Sequence, residues 1–315
     1  VGRCGFVGDI LYSIGVTGFI YPVVGHWSWG PDGWLAVRSV PFRDFAGSTV
    51  VHTVGGAISL IGAIALGPRL GRVFKRDGGG PPLPHNIILG AVGGLILWFG
   101  WYGFNPGSTL SAMDVQGIGR VSFNTTMAAC SAGLTALFYG YAKSRSWDLS
   151  YTTNGFLAGL VAITCPCYWV SPTGAFFIGV VSAVVLILAI DLLEYLRIDD
   201  PIGAVPVHFA NGIWGTLALG LFATGQYGWP TPTGADVTTP LRGLFYGGGI
   251  AQLMAQAIGS GATVFATLAA SVVLMYSVKA TGALRVSRAG ELKGLDICEH
   301  GTVAYPEFVV HLDGR

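Results

Sequence analysis

A chain of 315 residues with 17 Lys+Arg, 16 Asp+Glu and a formal net charge of +1 is 10% charged, 52% hydrophobic and contains 49 glycines. Soluble domains carry about 25% charged residues, so this sequence excludes a soluble enzyme, a nucleic-acid binder and a disordered chain. It fits a polytopic α-helical membrane protein, whose apolar side chains face lipid and whose glycines let helices approach closely.

A bilayer core of about 30 Å asks for about 20 apolar residues per helix. In chain order eight segments qualify: residues 10–27, 45–67, 86–106, 117–142, 151–170, 174–196, 201–223 and 247–279. The fifth carries Pro166 near its end, and the eighth is long enough to tilt or to run past the membrane. Basic residues orient the set, because cytoplasmic connections are enriched in them. Arg3 and the connections after the second, fourth, sixth and eighth spans hold 13 of the 17, and the alternate connections hold only Arg38, Arg43, Arg120 and Arg242. This distribution predicts a cytoplasmic C-terminus, a second span running inward and a seventh running outward. The chain opens on Val1 without Met or a basic leader and enters an apolar segment almost at once, so it reads as beginning in mid-protein.

Two of these segments share a pattern. Asp44, Gly47, Val51 and His52 at the head of the second span, and Asp200, Gly203, Val207 and His208 at the head of the seventh, both read D-x-x-G-x-x-x-V-H at an offset of 156. On oppositely directed spans this is an inverted repeat, an architecture of many transporters. Each Asp suits an N-cap, and Pro201 suits the first helical position. Eight residues at about 1.5 Å each would place each imidazole about 12 Å in, near the midplane from opposite sides. A single histidine on an apolar helix is ordinarily a packing residue. Two at symmetry-related depths point to a pathway, because ionisable groups inside a membrane are costly.

Five cysteines (Cys4, Cys130, Cys165, Cys167 and Cys298) are too scattered for a disulfide framework. Cys165 and Cys167 read as small packed residues near a helix end, since no further Cys or His lies near in sequence to complete a tetrahedral site. The stretch from Gly78 to Pro82 is a connecting loop rather than a phosphate cradle. No nucleotide loop, metal cluster or nucleophile–base pair suggests an enzyme, and no cofactor or metal is expected.

Several ordered motifs resemble the ammonium transporter (Amt/Mep/Rh) family. They are Asp44 through His52, Gly103-Phe104-Asn105-Pro106-Gly107-Ser108, Asp199-Asp200-Pro201 through Gly212-Ile-Trp-Gly215, and the tail from Glu291 through Asp296, Glu299, Gly301 and Tyr305. The resemblance covers the chain to about Pro306 and begins near the family's fourth span. It implies an all-α membrane fold: a helical bundle with an inverted repeat, here with about eight transmembrane helices, in a homotrimer with one narrow pore per subunit. Residues 1–283 would form the transmembrane domain and residues 284–315 a cytoplasmic regulatory tail.

Residue by residue, the resemblance implies that Trp29 and Ser108 bind ammonium at an outer vestibule with Asp44 below it, and that Phe104 gates the pore. His52 and His208 would be the paired pore histidines and Trp101 a pore-lining aromatic. The physical chemistry agrees: indole is the best cation–π partner, a serine hydroxyl supplies an acceptor, and neutral ammonia enters a low-dielectric channel far more readily than a bare cation. Without the motif, Trp29 would suit an interfacial aromatic belt and Phe104 a core position. Three departures accompany the resemblance. The third-span aromatic has no counterpart here, the loop from Gly30 to Arg43 is longer than usual, and Phe209 stands where the family often has glycine.

The function implied is transmembrane passage of ammonium or ammonia at the plasma membrane. One alternative is an ammonium sensor signalling through its tail. Another is a truncated, non-conducting fragment whose missing spans would expose pore-facing residues. For the tail, composition alone gives a solvated extension. The resemblance gives a segment packed on cytoplasmic loops, with PII-type nitrogen signal proteins as partners and the basic loop from Gly67 to Pro84 as acceptor for Asp296 and Glu299.

Overall fold

Every expected span is helical in the computed structural model, which describes residues 2–80 and 84–306. The first runs Phe6–Trp29 and the second Ser48–Leu66. The third, Ile87–Phe104, is followed by the fourth, Val115–Ser144, and the fifth, Leu149–Thr164. The sixth is Pro172–Leu196, the seventh Val205–Phe222 and the eighth Ala251–Ala280. Side-chain caps explain several starts. Asn86 accepts from the Leu89 amide, Asp114 from Gly117, Asp148 from Ser150 and Tyr151, and Ser171 from Gly174.

By length and apolar composition, six of these helices could cross a membrane on their own; the fourth and fifth fall short. The fourth carries Arg120, Asn124 and a run of hydroxyl residues. The fifth has only 16 residues and stops at Thr164, ahead of Pro166, which has no amide hydrogen to donate. Both are sheltered: Asn124, Thr125, Leu160 and Val161 are fully buried where the fourth, fifth and sixth spans pack together. The eighth span's 30 residues rise about 45 Å, beyond the hydrocarbon thickness. The first and third spans are open by contrast; Phe99 on the third is 80% exposed.

The two patterned spans begin differently from the expectation. The helices start at Ser48 and at Val205, not directly after the aspartates, and Pro201 lies in a turn rather than at a first helical position. The intervening glycines, Gly47 and Gly203, have φ of +117° and +75°, a left-handed backbone that breaks the helix and that glycine adopts without strain. Each carboxylate then folds back onto the delayed helix start. Each helix opens on a π-helical turn, Ser48–Thr53 and Val205–Ala210, a rare form found frequently at functional sites. His52 therefore lies only about 6 Å of rise beyond its helix start. It reaches the interior because the start itself is sunk, with Asp44 just 1% exposed.

Residues grouped by the charge rule also meet in space. Asp199 accepts from the Arg69 amide and guanidinium at 2.9 Å and lies 3.5 Å from Arg72 and 3.8 Å from Arg3. Arg72 also pairs with Glu194, Lys75 with Asp191 and Arg197 with Asp77. At the other end, Arg43 stacks on Trp229, and Arg120 on Tyr168 and Tyr227. A small antiparallel hairpin, Pro230–Thr231 with Gly234–Ala235, lies in that loop.

Among the described residues the tail is packed, but not through the acids expected. Arg285 donates to the Leu66 and Pro68 carbonyls and pairs with Glu291, which accepts from the Leu70 amide at 2.7 Å. Glu299 instead accepts from the Phe6 amide, and Asp296 closes its own turn onto Ala304. Residues 307–315 lie outside the described residues. Burial pushes the Glu291 carboxyl up, but the Leu70 amide and Arg285 outweigh it and hold it below its ordinary value; Asp199, likewise buried, is held down by Arg69. Carboxyls depressed in the folded state contribute stability above their unfolded pKa of about 4, and lose it as pH falls through the folded value. The docked tail is therefore expected to persist at neutral pH and release only in strong acid. Hydrogen exchange tests the contact: Glu291→Ala should speed exchange at Leu70 by about tenfold or more and leave the eighth-span amides protected. Equal protection in both proteins would mean that Glu291 does not hold the loop.

Candidate functional site

The delayed helix starts bring the two histidines together. Their Nδ1 atoms are 3.3 Å apart and their rings stack at 5.3 Å with a 21° interplanar angle. A bond between two ring nitrogens needs one donor and one acceptor, so the rings share a proton and adopt complementary tautomers. His52 also stacks on Trp101 at 5.2 Å and lies 5.5 Å from Phe104. The Trp101 indole donates to Thr164 Oγ1, tying the third span to the fifth. His52 Nε2 is buried with no hydrogen-bonding partner among the described residues.

Glycine makes this crossing possible. A Cβ on Gly56 would lie 2.3 Å from the Phe209 amide nitrogen, and one on Gly212 would lie 2.3 Å from the Ser48 carbonyl oxygen. These glycines are themselves separated by 156 residues, so the repeat extends to D-x-x-G-x-x-x-V-H-x-x-x-G. The last glycine was readable in the sequence, but its role as a crossing point was not. Gly56→Ala is expected to destabilise by about 1–3 kcal/mol, because backbone cannot yield to the methyl group. Gly55→Ala should be tolerated, since nothing lies within 4 Å of its added Cβ. Thermal unfolding of the two solubilised variants would expose the reading as wrong if they melted together.

Asp44 holds the other half of the site. Its Oδ1 accepts from the Gly47 and Ser48 amides and its Oδ2 from Thr49 and Val50, all at 2.9–3.0 Å. The acceptor sites of this carboxylate are thus turned onto the helix start. The Asp44 carbonyl accepts the Trp29 indole N–H at 2.7 Å. Trp29 is anchored by its edge and remains 40% exposed, which leaves ring surface available to a cation.

Ser108 sits on the 3-10 turn Pro106–Thr109 that ends the third span. Its hydroxyl proton goes to the Phe104 carbonyl at 2.9 Å, so its remaining capacity is acceptor only. Thus Trp29 is fixed to Asp44 and Ser108 to Phe104, while Phe104, Trp101, His52 and His208 form one ring cluster. Cys165 and Cys167 are buried free thiols directed at the Arg43 and Thr164 carbonyls. The ring cluster combines apolar walls, one shared proton and an unpartnered imidazole nitrogen. Such a set can pass a small neutral hydrogen-bonding molecule while excluding a hydrated ion.

Comparison with known proteins follows this geometry. A sequence profile described as Ammonium Transporter Family matches residues 1–305. The chain is 41% identical over 312 residues to "Ammonium transporter Amt2" of Archaeoglobus fulgidus, covering 95% of this chain and 64% of that protein. It is 40% identical over 327 residues to "Putative ammonium transporter 1 member 5" of Arabidopsis thaliana, covering 96% and 64%. It therefore spans just under two thirds of these relatives. Among solved structures, "Sensor Amt Protein" superposes with a TM-score of 0.82 at 35% identity, over 95% of this chain and 71% of that one. The Saccharomyces cerevisiae Mep2 structure gives 0.81 at 29%, over 91% and 62%.

Proposed function

From its membership of the ammonium transporter family, to which this chain belongs, we propose that the chain supplies the recruitment site and conduit of a multi-pass ammonium transporter. Ammonium is taken up at the exposed face of Trp29 and the acceptor lone pairs of Ser108. Asp44 acts as a positioning residue, since its carboxylate oxygens serve backbone amides. Phe104 closes the entrance. Beyond it a bare cation is strongly disfavoured, so ammonia passes Trp101 and the histidine pair. The Nδ1–Nδ1 bond already holds one proton, and the proton ammonium gives up goes to the free ring nitrogen of the imidazole that donates in that bond. The observation that carries this reading is the 3.3 Å Nδ1–Nδ1 contact under the Trp101 and Phe104 rings.

The same reading places the protein in the plasma membrane as a homotrimer with a cytoplasmic tail, open to PII-type nitrogen signal proteins at that face. Glu291, Arg285 and the loop at Leu70 support the tail's part in it. A second reading, an ammonium sensor using the same vestibule, is favoured by the 0.82 TM-score to a structure named as a sensor. Transport assays on the full-length protein separate them. In cells lacking their own ammonium transporters, the wild type should support saturable methylammonium uptake. Trp29→Leu should raise the half-saturation concentration roughly three- to fivefold, in line with a lost cation–π contact. Saturable binding without uptake would favour the sensor, and uptake unaltered by Trp29→Leu at low concentration would remove the recruitment site. Uptake by the full-length protein but not by residues 1–315 alone would favour the non-conducting fragment.

A further inference from the structure

Gln256 is a polar side chain with no exposed surface, on the buried face of the eighth span in its second turn. Its carboxamide grips the Arg43 backbone at two points, bridging the peptide groups on either side of its Cα: Oε1 accepts the Arg43 amide at 2.9 Å and Nε2 donates to the Arg43 carbonyl at 2.6 Å. Nε2 also donates to the Thr216 carbonyl at 3.2 Å, and Oε1 accepts from Gln252 Nε2 at 3.0 Å. Two donors and two acceptor positions exhaust a carboxamide, so Gln256 has nothing left with which to bind a ligand. One turn along, a Cβ on Gly259 would lie 2.1 Å from the Phe42 ring, so the eighth span is shaped to receive this segment.

The gripped residue leads straight to the vestibule. Arg43 precedes Asp44, whose carbonyl holds the Trp29 indole. Beside Gln256, the end of the fifth span completes the clamp. Cys165 Sγ is directed at the Arg43 carbonyl, and the Phe45 and Ala46 amides donate to the Cys165 and Thr164 carbonyls. Through the Thr216 carbonyl, Gln256 adds the seventh span. Four separate parts of the chain thus meet around Arg43 and Gln256, next to the residue whose carbonyl sets the indole.

We propose that Gln256 is the positioning residue of the recruitment site: by holding the Arg43 backbone at both its amide and its carbonyl it fixes the Asp44 carbonyl, and so the ring face that Trp29 presents to a small cation. This rests on the recruitment role given to Trp29 above. Glutamine suits the place because it combines donors and acceptor at this reach. Glutamate lacks the donors, asparagine is a methylene shorter, and methionine fills the volume without bonding.

The test uses the full-length protein with Gln256→Met, and Thr263→Val as control. Thr263 is buried on the same span, and its hydroxyl has no partner among the described residues. Two readouts are taken: the Trp29 indole N–H resonance in 15N-tryptophan-labelled protein, assigned with Trp29→Phe, and the concentration dependence of methylammonium uptake. Gln256→Met should move the indole resonance and raise half-saturation roughly three- to fivefold with the maximal rate kept. Thr263→Val should do neither. A resonance that stays in place overturns the proposal, as does an unchanged half-saturation in a protein that transports, even if the maximal rate falls. If the wild type shows no uptake, the transport reading fails by itself and the resonance still decides the role of Gln256. Should Gln256→Met not assemble, Gln256→Asn is judged by the same two readouts.

Discussion

Replacing Asp44 by alanine is expected to leave little or no assembled protein. The substitution strips the acceptors from four backbone amides at a site with 1% exposure. Orphaned buried donors cost about 1–3 kcal/mol each, so the total is about 4 kcal/mol or more, against a whole-domain stability of about 5–15 kcal/mol. Asp44→Asn keeps one oxygen but turns an NH2 group towards amides that are themselves donors, so it should rescue only in part. Asp200 serves the Ala204 and Val205 amides and is half-buried. Water can replace part of its role, and Asp200→Ala should cost less. Membrane yield and heat-resistance of the solubilised protein give the measurement. Equal losses for the two alanine variants would mean that burial of the Asp44 cap is not what matters.

The second large effect concerns the histidines. His208→Ala should lower uptake per assembled molecule by roughly tenfold or more, a change of about 1.4 kcal/mol or more in the limiting barrier. The remaining imidazole then has no ring with which to share its proton. His52→Ala should cost more still, because His52 stacks on Trp101 and faces Phe104 as well as His208. Its loss opens the ring cluster on three sides. Methylammonium uptake normalised to surface protein checks both. If each variant stayed within about twofold of wild type, the pair would be a packing feature and not part of the conduit.

The amino-acid sequence by itself determined what depends on near neighbours and on bulk solvent. Apolar runs located the eight long apolar segments that are helical, and the bias of Lys and Arg sorted their ends into groups whose members meet in space, as Arg3, Arg69 and Arg72 do around Asp199. The repeated Asp, Gly and His positions were visible at their offset, because a repeat is a property of order along the chain. Only the tertiary structure decided where those helices begin. A residue count from Asp44 to His52 assumes continuous helix, whereas the left-handed Gly47 and the π turn after it hold their form because the carboxylate and the packed seventh span enclose them. The same holds for the close crossing at Gly56 and Gly212, for Glu291 rather than Asp296 meeting the Leu70 loop, and for Gln256 gripping Arg43 across 213 residues. Each of these is a short contact between segments remote in sequence. Its energy depends on interatomic distance, which residue type and spacing leave open until the helices have packed.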